Sequence, residues 1–257
     1  MGSPILYGQK RALVIGINNY PRESLNYCIN DANDLGTTLE SIGFCVLPAL
    51  DCNFSNLYHM IDTFADTILR DDLVLFYFAG HGKQSSDENY LLPSDYNFDN
   101  RGSERDYIVN NAINVKYIME KIDRKKYRVA IYLFDCCRNR IRTRAINTSQ
   151  GLLPMIGSSQ TLIVFACAPG SAVQDETRNN RNGSFMENLL KHITKPNKHI
   201  EKIMKDVADD VNLQTGGFQL PHRSSSISGK VFLVLNNDQG QDVTTLKAVT
   251  MSLIVTL

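Results

Sequence analysis

The segment Val129-Ala-Ile-Tyr-Leu-Phe134, followed directly by Asp135-Cys136-Cys137-Arg138, joins an uninterrupted apolar run to a group of polar and reactive side chains. An earlier run of the same kind, residues 73–78, leads into Ala-Gly-His81-Gly82. Short continuous apolar runs bounded by turn-forming residues are typical of strands that are buried on both faces. Each run therefore predicts a buried strand that delivers a reactive side chain to the loop after it.

Apolar runs and helical spacing alternate along most of the chain. Further strands are predicted at 11–17, 44–50, 161–166 and 230–235, and an extended excursion or small hairpin at 87–95. Apolar residues at helical spacing predict helices at 30–42, from 53 to about 68, at 115–122, from 184 to about 193, and at 200–211. This order predicts an α/β fold in which a mostly parallel six-stranded sheet carries helices on both faces.

The two reactive side chains follow two of these strands. In open parallel sheets the active crevice lies at the carboxyl ends of the strands. His81 follows the third predicted strand and Cys137 follows the fourth, so both are expected at the same edge of the sheet. Topology and chemistry therefore favour the same place for a site.

Composition excludes several classes of function. The chain has 257 residues with 27 basic and 27 acidic side chains, so its net charge provides no general attraction for nucleic acid or anionic membranes. The phosphate-binding patterns G-x-G-x-x-G and G-K-[ST] are absent, and so is a C-x-x-C pair among the six cysteines. We expect no cofactor and no metal. Free thiols and the lack of a signal peptide or a membrane span favour a cytoplasmic protein.

The chain divides into three parts at the sequence level. Residues 1–9 are an N-terminal extension, residues 10–236 form the predicted domain, and residues 237–257 are a tail or the start of a further domain. The last part changes character because it is rich in Thr and Val and has Lys247 as its single basic residue.

The motifs around His81 and Cys137 resemble those of the caspase-like cysteine peptidases, and among these the paracaspases most. Phe78-Ala-Gly-His81-Gly82 is similar to the Tyr-Ala-Gly-His-Gly motif of paracaspases, and a spacing of 56 residues to Cys137 fits the superfamily. Asp135-Cys-Cys-Arg-Asn139 has an acid where caspases have Gln, and differs from the Asp-Ser-Cys-His-Ser-Gly of metacaspases. The resemblance extends from about Lys10 to Leu235 and implies the caspase-like fold.

The resemblance also implies the residues of the site. Cys137 corresponds to the nucleophile and His81 to the general acid and base, while the backbone N–H groups of Gly82 and Cys137 correspond to the oxyanion hole. Asp31, Asp135 and Asp175 match the acids of the paracaspase S1 pocket. Three clustered carboxylates repel one another unless a cation lies between them, and the planar guanidinium of Arg can bond two at once. We therefore expect an endopeptidase that cleaves protein or peptide substrates after Arg, and less well after Lys.

Several alternatives remain open at this level. The vicinal Cys136 could be the nucleophile in place of Cys137, although the order acid-any residue-Cys-Arg selects Cys137. The chain could be a calcium-activated peptidase of metacaspase type, or a scaffold that keeps the fold without activity. Relatives of this fold pair through the last strand of the sheet, so a homodimer through residues 230–235 is expected.

Overall fold

The computed structural model of the chain describes residues 3–136, 139–140, 155, 157–167 and 179–236. Its strands are β1 (Lys10–Gly16), β2 (Phe44–Leu50), β3 (Leu73–Ala79), β4 (Gly82–Ser85), β5 (Glu88–Leu91), β6 (Ile113–Asn114), β7 (Val129–Asp135), β8 (Asn139–Arg140), β9 (Thr161–Phe165) and β10 (His222–Ser225). Its helices are α1 (Cys28–Ser41), α2 (Phe54–Thr67), α3 (Glu104–Asn111), α4 (Val115–Asp123), α5 (Ser184–His192) and α6 (Ile200–Gln214). Within these ranges no helix is long and apolar enough to cross a bilayer.

A six-stranded sheet in the order β10-β9-β7-β3-β1-β2 forms the centre of the molecule. Neighbouring strands run parallel except β10, which is antiparallel to β9. The side chains of β3 and β7 are buried along their whole length, which explains why both strands are continuous apolar runs.

Helices cover both faces of this sheet. One apolar cluster joins alternate strand residues to α2 and α4, and a second joins the other strand residues to α1, α5 and α6. The six-stranded α/β architecture predicted from the sequence is thus confirmed.

A second, smaller sheet with the order β6-β5-β4-β8 extends from the carboxyl end of β3. Strands β4 and β5 form a hairpin whose turn residues, Ser86 and Asp87, have φ angles of 49° and 63°. The predicted excursion at 87–95 is therefore the second half of a hairpin that begins directly after His81. The short strand β8, which lies between the strands predicted at 129–134 and 161–166, pairs in parallel with β4.

The prediction of a sheet strand at 230–235 was wrong. Among the described residues the last sheet strand is β10, whereas Lys230 and Phe232 form isolated bridges, to Pro4 and His199 respectively. The apolar run 231–235 arises because Val231 and Leu233 are buried in the same cluster as α6, without belonging to the sheet. The sequence of β10, His-Arg-Ser-Ser, is polar and gave no strand signal.

Candidate active site

The two sequence motifs meet at the carboxyl edge of the main sheet. Strands β3 and β7 are neighbours, and Ala79 stands opposite Asp135 in their register. One residue further along, the N–H of Gly80 donates to the carbonyl of Asp135 at 3.4 Å. The chain segments leading to His81 and to Cys137 therefore leave the sheet side by side, as the topology predicted.

His81 lies between β3 and β4 and is partly exposed. Its Nε2 atom lies 2.6 Å from the carbonyl oxygen of Glu23. Because a carbonyl oxygen can only accept a hydrogen bond, Nε2 carries the hydrogen in this arrangement. The hydrogen bond leaves Nδ1 as the ring nitrogen that can take up and release a proton.

Gly82, the predicted donor to an oxyanion, is the first residue of β4. It stands opposite Leu91 in the hairpin register, and the neighbouring Leu92 N–H donates to the carbonyl of His81 at 2.9 Å. The hairpin thus fixes the backbone on both sides of the Gly82 peptide. Its role in binding an oxyanion stays a prediction.

Cys137 and Asp175 lie outside the described residues, so the nucleophile and the third acid of the pocket stay predictions from the sequence. The neighbouring Cys136 is described, and its side chain is 2% exposed. It belongs to the apolar cluster that includes Phe78 and Tyr20.

Asp31 and Asp135 are two buried acids beside the predicted catalytic motifs, with exposed fractions of 3% and 8%. Asp31 belongs to the first turn of α1, and Asp135 is the last residue of β7. A Cβ atom built on Gly183 would stand 3.3 Å from the Asp31 Oδ2 and 4.0 Å from the Asp135 Oδ2. Both carboxylates thus approach the same small volume, which brings together two of the three predicted pocket residues.

The close contact between β1 and α1 determines where Asp31 lies. A Cβ atom on Gly16 would stand 2.4 Å from the carbonyl oxygen of Cys28 and 2.8 Å from the Cβ of Ala32. Only glycine allows the first turn of α1 to pack this closely on the end of β1. The first turn of the helix, and Asp31 with it, is thereby held against the carboxyl edge of the sheet.

Few hydrogen bonds compensate the burial of these acids. Asp31 accepts from the Gly183 N–H, at 3.1 Å to its Oδ1, and Asp135 accepts from the Tyr77 hydroxyl at 3.3 Å. Burial raises the pKa of Asp31 above its ordinary value, and repulsion by Asp135 raises it further. Burial raises the pKa of Asp135 as well, against the effect of Tyr77. A cation between the two carboxylates would stabilise their charged forms, because it offsets both the burial and the mutual repulsion.

A segment that the sequence analysis missed, residues 179–183, packs against the acidic face of α1. Arg181 donates to Asp34 through Nε at 2.7 Å and through Nη2 at 2.5 Å, and Asn182 donates to the same carboxylate at 2.8 Å. This ion pair lowers the pKa of Asp34. The contacts hold Gly183, whose N–H reaches Asp31, in place. Sequence spacing could not reveal contacts between residues about 150 positions apart.

The loop after β1 was also missed as part of the site. It supplies the Glu23 carbonyl that bonds His81, and Tyr20, whose hydroxyl accepts from the backbone N–H of His81 at 2.9 Å. In the sequence, this segment begins with Asn18-Asn-Tyr-Pro21, whose composition is typical of a turn and does not indicate contacts with His81. As for a metal, no group of three His, Cys, Asp or Glu side chains suited to hold one occurs in the described ranges.

Comparisons with known proteins bear on the family and the fold of the chain. Residues 9–232 match the family model described as Caspase domain. The human mucosa-associated lymphoid tissue lymphoma translocation protein 1 is 26% identical over 229 residues, which are 86% of this chain and 26% of the human protein. Its mouse homolog is 26% identical over 237 residues, 89% of this chain and 27% of the mouse protein.

A probable protease from a Desulfuromonadales bacterium is 27% identical over 216 residues, 71% of this chain and 25% of that protein. The chain thus spans about a quarter of the length of these curated relatives. The crystal structure of caspase-1 from Spodoptera frugiperda superposes with a TM-score of 0.67 at 14% identity, and the match covers 91% of this chain and 94% of that one. This likeness shows the fold, and the predicted resemblance to caspase-like proteins is confirmed.

Proposed function

The chain belongs to the caspase domain family, and on that premise we propose that it is a cysteine endopeptidase of paracaspase type that cleaves after Arg, and less well after Lys. Cys137 is the nucleophile and His81 the general acid and base. Protein or peptide chains with a basic P1 residue are the substrates.

The observation that supports this specificity is the pair of buried carboxylates, Asp31 and Asp135, which approach the same small volume at the carboxyl edge of the sheet. A guanidinium can place one N–H edge against each carboxylate, and its charge removes the repulsion that raises the pKa of Asp31. An Asp at P1 would instead add a third negative charge to the pocket. Asp175 is proposed as a further acid of the same pocket.

The chemistry follows from the contacts of His81. Cys137 gives its thiol proton to Nδ1 of His81. The thiolate attacks the scissile carbonyl carbon, and the N–H groups of Gly82 and Cys137 bind the oxyanion that forms. His81, held by Glu23 through Nε2, gives a proton from Nδ1 to the leaving amine. Water then hydrolyses the thioester, and His81 takes up one of its protons.

The burial of Cys136 argues against this residue as the nucleophile. Cys136 is 2% exposed within an apolar cluster, where a thiolate would be poorly solvated and a substrate carbonyl could not approach. This environment favours Cys137 as the reactive thiol.

Labelling with an irreversible peptide inhibitor that ends in Arg tests the proposal. Tandem mass spectrometry should locate the modification on Cys137 in the wild type and find none in Cys137→Ala. Cys136→Ala, the matched control, should still be labelled and active. Modification of Cys136, or none at all in a folded protein, would refute the assignment.

Assembly through an edge strand is proposed as well, with β10 in place of residues 230–235. β10 is an edge of the main sheet, and the exposed apolar residues Phe218 and Leu220 precede it directly. Backbone groups at an open edge can pair with the same strand of a second copy about a two-fold axis.

A further inference from the structure

Tyr20 is a buried residue that contacts the predicted general acid and base in two ways. Its hydroxyl accepts from the backbone N–H of His81 at 2.9 Å and donates to the carbonyl of Leu92 at 3.2 Å. Its ring packs against the imidazole with 4.5 Å between the ring centroids and an angle of 53° between the planes. One side chain therefore fixes both the backbone and one face of the ring of His81.

The backbone before His81 is shaped to accept this hydroxyl. Gly80 has a φ angle of 157°, and a Cβ atom there would stand 2.6 Å from the Tyr20 hydroxyl. The phenol thus occupies the space that a side chain at position 80 would need. Burial raises the pKa of Tyr20 well above its ordinary value, so the hydroxyl keeps its proton and can donate to Leu92.

The loop that carries Tyr20 is itself anchored to the sheet. Asp51, which follows β2, accepts from the N–H groups of Asn18 at 2.8 Å and Asn19 at 2.9 Å. Ser24 closes the loop with a hydrogen bond to the carbonyl of Tyr20 at 3.0 Å. The same loop presents the Glu23 carbonyl to the imidazole, so His81 is held at its backbone, its ring face and its Nε2 by one anchored segment.

We propose that Tyr20 is a positioning residue that holds His81 in the orientation in which Nε2 donates to Glu23 and Nδ1 faces the reaction. The proposal rests on the proposed peptidase function. It adds a residue whose hydroxyl and ring act on the general acid and base without contacting the substrate. A misplacement of about 1 Å at a reacting group can lower a rate by about a hundredfold.

The test compares Tyr20→Phe, which keeps the ring and loses the hydroxyl, with Tyr20→Leu, which loses both. We expect kcat on an Arg-ending peptide to fall about tenfold in Tyr20→Phe and about a hundredfold in Tyr20→Leu, with KM within about twofold of the wild type. Titration of active sites with an irreversible inhibitor normalises kcat to competent molecules, so partial unfolding lowers the titre and leaves kcat unaffected.

Tyr127→Phe is the matched control. In the wild type, the Tyr127 hydroxyl contacts Asp123 at 2.6 Å and Thr161 at 3.2 Å, at the amino edge of the sheet and therefore away from His81. This variant loses two side-chain contacts but should keep the kcat of the wild type. An unchanged kcat in both Tyr20 variants, or a change confined to KM, would overturn the proposal.

Nitrogen-15 NMR of the histidines gives a second readout that needs no turnover, with the His81 signal assigned by its loss in His81→Gln. The neutral ring should be in the Nε2–H tautomer in the wild type and should populate both tautomers in Tyr20→Leu. If the wild type cleaves no Arg peptide but this change occurs, the proposed function fails and the positioning role stands. If the wild type is active and the tautomer is unchanged, the positioning role fails.

Discussion

At the scale of single residues, the pair Asp31 and Asp135 links the proposed specificity to stability. Both side chains are nearly inaccessible, and burial raises the pKa of each. The protein keeps two acids where apolar or amide side chains would be easier to bury, which is typical of groups retained for binding. The loss of folding stability that these two buried acids cause should be measurable in the unliganded protein.

Replacing either acid by Asn should stabilise the protein at high pH. A folded-state pKa above the ordinary value means that the contribution to stability is full below the ordinary pKa of 3.8 and is lost as the pH rises from there through the raised pKa. The gain in stability of Asp31→Asn and of Asp135→Asn over the wild type should therefore be larger at about pH 9 than at about pH 5, by roughly 1 to 3 kcal/mol. Denaturant unfolding at the two pH values measures the difference.

Asp206→Asn is the control, and its effect on the free energy of unfolding should have the opposite sign. Hydrogen bonds from Lys198 and from Lys202 lower the pKa of Asp206 to about 2, so its contribution is present above the ordinary pKa and is lost as the pH falls. This variant should be less stable than the wild type at both pH values. If the Asn variants of the buried pair behaved like it, the two acids would not be destabilised by burial.

At the scale of elements, the packing of α1 on the end of β1 determines where Asp31, and with it the proposed pocket, lies. Gly16→Ala would place a methyl group 2.4 Å from the Cys28 carbonyl, so the first turn of α1 must move away from the sheet. We expect a loss of about 1 to 3 kcal/mol in stability and a higher KM for Arg substrates. Thermal unfolding and steady-state kinetics measure both effects.

Gly36→Ala is the matched control in the same helix. Its new methyl group would stand 3.6 Å from the Val46 side chain, which is an ordinary contact. Alanine favours the helix over glycine by up to about 1 kcal/mol, so this variant should be more stable than the wild type with an unchanged KM. Equal KM values in Gly16→Ala and Gly36→Ala would show that the close packing at Gly16 does not determine the position of the proposed pocket.

The segment 179–183 is the second element that shapes the pocket. Asp34→Arg and Arg181→Asp each place like charges together and should release Gly183 from Asp31, which raises KM for Arg substrates several-fold. The double exchange restores the ion pair and should recover most of the loss. If KM in the double variant were as high as in the more impaired single variant, the ion pair would not act through its charge.

Most elements, but not all of the site, could be predicted from the sequence. β3 and β7 were found within one residue because both faces of each strand are buried, so their runs are continuous. α3 was missed because Ile108 is its one buried side chain. Tyr20, Glu23 and Arg181 act through contacts between distant segments, and such contacts arise only when the fold is complete.

At the scale of the whole molecule, the sheet ends at β10 on one side and the exposed residues beside it offer an apolar surface. Phe218→Asp places a charge on this surface and should shift a dimer towards monomer, with a parallel loss of specific activity. Sedimentation across a concentration series, run beside the activity assay, measures both.

Leu69→Asp is the control for this change, because Leu69 is 56% exposed and Phe218 is 58% exposed. Leu69 precedes β3, at the edge of the sheet away from the active site. The substitution Leu69→Asp should therefore leave the oligomeric state unchanged. Full specific activity in strictly monomeric wild type would separate catalysis from assembly.

We propose above all that buried acids select a cationic P1 residue for cleavage by Cys137. A panel of fluorogenic tetrapeptides that differ only at P1 tests it most directly, with Asp135→Asn beside the wild type. We predict that kcat/KM is highest for Arg, lower for Lys and undetectable for Asp, and that Asp135→Asn lowers the Arg value about thirtyfold or more, because it leaves a buried guanidinium partly unpaired. Cleavage after Asp as good as after Arg, or an Arg value unchanged in Asp135→Asn, would contradict the account.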